Sequence, residues 1–135
     1  MKILKSIVLS ALMMLAVSVS AQQKTIHLLH VNDMHAYLDR AAALGGIIDS
    51  LRALYPELLV LSAGDNRTGN PVNDEFKETN RPMMEVMNAF GVAASAIGNH
   101  EFDGKISGYK ANAQVAKFPF ICANIRVPES AGFKI

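Results

Sequence analysis

Three apolar runs punctuate the chain, at residues 25–31, 58–62 and 120–124, each the length of a β-strand. Thr25-Ile26-His27-Leu28-Leu29-His30-Val31 reads as the first strand. Leu58-Leu59-Val60-Leu61-Ser62 is nearly continuously apolar, the pattern of a strand buried on both faces. Between these two the spacing turns helical: Leu44, Ile47, Ile48 and Leu51 repeat at i, i+3, i+4 and i+7. Tyr55-Pro56 ends that helix, because a residue before proline is pushed out of the α region. Gly45-Gly46 would cost about 1 kcal/mol each inside it. The regular helix is therefore expected to start after Gly46, the alternative being close backbone packing beside the sheet edge. A second helix is expected over residues 82–90. Pro82 suits its first turn, Met83, Met87 and Phe90 form its stripe, and Gly91 caps it. Its methionines read as core packing, not metal ligands. A weaker helix follows at residues 103–117. Residues 93–97 are apolar but alanine-rich, which favours helix by propensity. The polar stretch 66–80 is the longest loop, and no internal repeat stands out.

Polar motifs sit directly after these runs: Asp33-Met34-His35, Gly64-Asp65 and Gly98-Asn99-His100-Glu101-Phe102-Asp103. Asp33 to Asp65 is 32 residues and Asp65 to Asn99 is 34, about the length of one βαβ unit. Parallel strands joined this way end along one edge, where ligand sites form. Taken singly, each motif is an ordinary polar turn. Together they bring carboxylate, imidazole and amide groups to one edge, and the expectation is a metal site. His27 and His30 lie inside the first run and read as packing or edge residues.

These motifs resemble those of the metallophosphoesterase (calcineurin-like) superfamily, specifically its 5'-nucleotidase and UDP-sugar hydrolase branch. The resemblance rests on His30-Val31-Asn32-Asp33-Met34-His35, on Ser62-Ala63-Gly64-Asp65-Asn66-Arg67-Thr68-Gly69-Asn70-Pro71, and on Asn99-His100 continuing into Glu101-Phe102-Asp103. It covers residues 25–124 and turns residues 93–97 into a third strand. The implied fold class is α/β: the N-terminal half of a metallophosphatase-type layered β-sandwich flanked by helices, built from βαβ units. Such proteins carry a longer metallophosphatase domain and a separate substrate-binding domain. Residues 22–135 are thus expected to be a partial, truncated metallophosphatase domain without the C-terminal substrate domain.

The first 21 residues read as an export signal. Lys2 and Lys5 precede an apolar run of 13 residues at 7–19, and Val19-Ser20-Ala21 offers small residues for cleavage. The run is shorter than the roughly 20 residues of a spanning helix, so no stable membrane insertion is expected after cleavage, and the location is periplasmic or extracellular. Removing residues 1–21 leaves 114 residues and moves the formal net charge from +1 to −1. A near-neutral surface without basic runs argues against a nucleic-acid polymer as partner. Cys122 is the only cysteine, which excludes an internal disulfide, and it reads as a small buried apolar residue.

Phosphoester hydrolysis needs an activated nucleophile and a positive site for the phosphoryl oxygens, which two divalent ions can supply together. Oxygen and imidazole donors suit Mn, Zn, Mg, Fe or Co rather than thiolate-seeking metals. The resemblance implies that Asp33 and His35 hold the first metal, that Asp65 bridges, and that Asn99 ligates the second. It implies that His100 works near the leaving-group oxygen and that Asp103 orients it, as a carboxylate orients a catalytic imidazole. Two carboxylates only partly neutralise two divalent ions, and neutral Asn99 preserves the excess positive charge for a phosphate dianion. Glu101 reads as structural. The family draws two further histidines from later in the chain, and this sequence has only His27, His30, His35 and His100. Residues 22–135 alone are therefore expected to bind at most one metal weakly and to turn over poorly.

The implied activity is release of phosphate from nucleoside 5'-monophosphates, with nucleotide sugars or 2',3'-cyclic nucleotides as further substrates. The rivals are a related metallophosphoesterase acting on a non-nucleotide substrate, and a truncated inactive fragment or binding module with an unpaired edge at its fourth strand.

Overall fold

A computed structural model describes residues 23–76 and 80–132, together with Ile3. The expected leader and its cleavage site fall outside the described residues. Four strands form one parallel sheet in sequential order: β1 (Leu28–Val31), β2 (Leu59–Ser62), β3 (Val92–Ala96) and β4 (Phe120–Ile121). Leu28 lies opposite Leu59, Val60 opposite Val92, and Ser95 opposite Phe120. The connections carry α1 (Ala41–Leu54), the single turn α2 (Pro71–Asp74), α3 (Arg81–Ala89) and α4 (Lys105–Val115). The α/β class and the parallel sheet flanked by helices are as the sequence implied.

Sequential order with right-handed crossovers puts the connecting helices on one face of a sheet. The core lies there: Val60, Val92 and Phe120 from the strands meet Ile48 of α1, Met83, Met84 and Met87 of α3, and Tyr109 of α4. All three methionines are core packing, as expected. The other face is open, with Leu28 59%, Leu59 41% and Ile121 53% exposed. That corrects the reading of β2: its apolar run is buried on one face only.

Helix α1 also departs from expectation. It starts at Ala41 and runs straight through Gly45-Gly46 to Leu54. The gap left by Gly45 receives the ring of Phe90, whose Cε1 would sit 3.4 Å from an added Cβ, whereas Gly46 faces open space. Packing against α3 thus outweighs the propensity cost at Gly45. Ile48 is buried and Leu44 and Leu51 pack beside it, but Ile47 is 53% exposed and off the stripe. Tyr55 ends the helix with ψ at 82°, as Pro56 requires. Gly91 follows α3 with φ at +61°, a left-handed conformation that glycine adopts without strain. The alanine-rich segment is a strand because it pairs on both sides, with β2 and β4. Cys122 is half-buried rather than buried, its thiol donating to Asn124 Oδ1 at 2.9 Å, because β4 ends one residue earlier.

Candidate metal centre

The ends of β1 and β2 are tied into one unit by backbone hydrogen bonds. Ala63 N–H donates to Val31 O at 2.9 Å, Asp33 N–H to Gly64 O at 3.3 Å, His35 N–H to Asp65 O at 3.0 Å, and Ala36 N–H to Asn66 O at 2.8 Å. The first two motifs therefore run side by side beyond the sheet. To do so, Asp33, His35, Ala36, Asp65 and Thr68 all take positive φ, between 42° and 62°. Such conformations cost free energy in non-glycine residues and persist where the surroundings dictate them. The third motif closes onto the second at two glycines. A Cβ on Gly64 would lie 2.8 Å from Gly98 N, and one on Gly98 would overlap the Asp65 carboxylate.

Asp33, His35 and Asp65 converge so that one ligand atom from each lies within 4.8 Å of the others, the group of this kind found among the described residues. His35 is already oriented for the task. Its Nδ1 lies 3.0 Å from Thr68 O, which can only accept, so Nδ1 carries the proton. Nε2 is then the ring atom left on the side of Asp33, whose Oδ1 is 3.8 Å away. A backbone carbonyl fixing the tautomer of a histidine in this way is the usual support for a metal ligand. Asp65 is held by the His100 N–H, which donates to its Oδ1 at 2.9 Å. Two carboxylates and an imidazole this close suit a divalent ion of the Mn, Zn, Mg or Fe kind. Asn99 lies at the same edge with its side chain exposed.

His100 and Asp103 form a pair, Nδ1 donating to Oδ2 at 2.8 Å. The Asp103 hydrogen bond, together with the charges of Asp103, Asp65 and Glu101, raises the His100 pKa above its ordinary value. Hydrogen bonds from Thr68 and His100 lower that of Asp103. The rings of His35 and His100 meet edge to face, their centroids 4.6 Å apart. Of the remaining histidines, His27 stacks on Tyr55 at 3.9 Å and His30 is exposed on the open sheet face, consistent with packing and edge roles.

Beneath the edge lies a buried polar layer whose extent the sequence did not signal. Glu101, 2% exposed, accepts four hydrogen bonds: from the N–H groups of Asp65 at 2.9 Å, Gly98 at 2.6 Å and Asn66 at 2.8 Å, and from Asn66 Nδ2 at 3.2 Å. Asn66 also donates to Ser95 Oγ and accepts from Ser62 Oγ, joining the layer to β3 and β2. Arg67 is 1% exposed and donates to Glu101 O at 3.1 Å. Its guanidinium packs against α4 where an added Cβ on Gly104 or Gly108 would lie 2.7 or 3.0 Å away. Burial lowers its pKa, against the opposing pull of Asp103, Glu101 and Asp74. The available signal was the motif itself, in which Asn66, Arg67 and Thr68 directly follow Asp65.

Comparison with known proteins places this edge in a family. The calcineurin-like phosphoesterase model matches residues 26–131. Protein UshA of Escherichia coli K12 is 38% identical over 117 residues, covering 77% of this chain and 21% of that protein. The snake venom 5'-nucleotidase of Gloydius brevicauda is 34% identical over 128 residues, covering 82% and 21%. Among solved structures, the NAD nucleotidase of Haemophilus influenzae superposes with a TM-score of 0.72 at 29% identity, covering 78% of this chain and 22% of that one. The chain thus spans about a fifth of the length of the curated relatives it matches. Because the family match covers residues 26–131, more than half of the sequence and the whole of the sheet described above, the chain belongs to the calcineurin-like phosphoesterase family.

Proposed function

We propose that this chain carries the N-terminal part of an exported, two-metal phosphohydrolase that releases phosphate from nucleoside 5'-monophosphates, with nucleotide sugars or 2',3'-cyclic nucleotides as further candidates. The observation that carries the reading is the cluster of Asp33, His35 and Asp65 beside the His100–Asp103 pair. The nucleotidase names of the relatives favour a nucleotide substrate. Export rests on Lys2, Lys5 and the apolar run at residues 7–19; among the described residues no helix is long and apolar enough to cross a membrane.

In this reading Asp33, His35 and Asp65 would hold one ion, and Asp65 and Asn99 would be the donors available to a second. Bound divalent ions would supply Lewis-acid stabilisation of the phosphoryl oxygens and an activated water. The chain's own residues do the rest. Glu101 keeps the Asp65 and Gly98 backbones in place, and Thr68 O keeps the Nε2 lone pair of His35 available. Asp103 holds the Nδ1 proton of His100, so Nε2 is the atom that gives a proton to a departing alkoxide. Taken alone, residues 22–135 offer three strong donors to one ion but only Asp65 and Asn99 to the other. The chain by itself should therefore bind one ion weakly and turn over slowly.

The test is phosphate release by the protein purified from its source, supplied with manganese. Release from AMP that disappears in Asp65→Asn and falls in His100→Ala is the expected result. Release only from diester or thiosulfate-type substrates would transfer the chain to another reaction of its family, and none at all would favour an inactive or binding role.

A further inference from the structure

Thr68 occupies a position that its residue type does not favour. Its φ is +62°, a conformation that glycine takes freely, asparagine with little strain, and a β-branched residue rarely. The loop is pinned there from both sides. Gly69 follows at φ +124°, where an added Cβ would lie 2.9 Å from His35 O. Thr68 O accepts from His35 Nδ1 at 3.0 Å. A carbonyl is present whatever the side chain, so this bond does not explain a threonine.

The hydroxyl does. Thr68 Oγ1 lies 2.5 Å from Asp103 Oδ2, the same oxygen that accepts from His100 Nδ1 at 2.8 Å, and 3.5 Å from that nitrogen. Arg67 O is also 2.7 Å from Oγ1, but the hydroxyl has one proton and the ionised carboxylate is the stronger acceptor. Oδ2 is therefore clamped between a hydroxyl from the second motif and an imidazole from the third. A carboxylate so held keeps the proton on His100 Nδ1 and leaves Nε2 to exchange.

We propose that Thr68 is a positioning residue that registers the two imidazoles of the site against each other, its carbonyl fixing the metal-ligand side of His35 and its hydroxyl fixing Asp103 behind His100. One residue thus sets both the ring that faces the ion and the ring that carries the exchanging proton. The catalytic purpose rests on the phosphohydrolase reading; the hydrogen-bond arrangement does not.

The test compares Thr68→Val, Thr68→Gly and Thr68→Ser in the full 135-residue chain, stripped of metal by a chelator. Proton–nitrogen correlation spectra of the imidazoles report which ring nitrogen of each histidine is protonated, and thermal melting reports the fold. Thr68→Val and Thr68→Gly should lose the Nδ1–H signature of His100 and keep that of His35, and Thr68→Ser should keep both. In Thr68→Gly the relief of the left-handed backbone offsets part of the lost hydroxyl bond, so it should stay folded and melt close to the parent; it carries the test if Thr68→Val does not fold. The proposal is overturned if His100 keeps its signature without the hydroxyl. It is equally overturned if Thr68→Gly melts well below the parent and both imidazoles lose their signatures together, because Thr68 would then only hold the loop. No substrate or metal enters the experiment, so its failure leaves the phosphohydrolase reading standing, and a lack of phosphate release would leave this result standing.

Discussion

Glu101 accepts the backbone N–H of Asp65 at 2.9 Å, across 36 residues of sequence, and with the same oxygen that of Gly98 at 2.6 Å. A single buried carboxylate therefore locks the second motif to the third. In Glu101→Gln one acceptor becomes a donor that faces N–H groups. Leaving buried donors unmatched costs on the order of 2–4 kcal/mol, and Asp65 loses its anchor. Denaturant unfolding should show a loss of that size, and affinity for manganese should fall with it.

Gly98 gives a second, steric test. An added Cβ there would overlap the Asp65 carboxylate. Gly98→Ala should leave β3 intact, because the strand ends at Ala96, yet displace the carboxylate and weaken metal binding. Circular dichroism close to the parent's, with metal affinity at least about tenfold lower, is the expected pair of results.

The His100–Asp103 pair makes stability depend on pH in a predictable sense. The raised His100 pKa means that its contribution is complete below the ordinary value of 6.5 and is lost as pH rises through the folded value. The lowered Asp103 pKa means that its contribution is present above the ordinary 3.8 and is lost as pH falls through the folded value. The pair is therefore strongest between those two ordinary values. In metal-free protein, nuclear magnetic resonance titration of His100 should give a midpoint above 6.5, which Asp103→Asn brings down.

Arg67 is expected to matter to the fold rather than to specificity. It is 1% exposed, donates to Glu101 O, and fills the space that Gly104 and Gly108 leave open. Arg67→Ala should destabilise by about 2–4 kcal/mol through lost packing and an unmatched acceptor, seen as a lower denaturation midpoint.

The candidate site was legible in the sequence because its side chains are written in consecutive residues after each strand. Asp33, His35 and Asp65 meet because parallel strands end together, and His100 reaches Asp103 three positions on because a short 3₁₀ turn, His100–Phe102, brings them to the same side. The polar layer was less legible. Nothing in the order Asn66-Arg67-Thr68 tells a surface loop from a buried one; the difference is made by Glu101 arriving from a strand away. Gly45 was misread for a similar reason, since the ring that fills its gap belongs to Phe90, in another element.

The most direct measurement is calorimetric titration of manganese into the purified chain and its Asp65→Asn variant. One ion per chain, with affinity at least about tenfold lower in the variant, is the predicted result. Identical isotherms, or no binding by the parent, would contradict the assignment of Asp33, His35 and Asp65 as a metal centre.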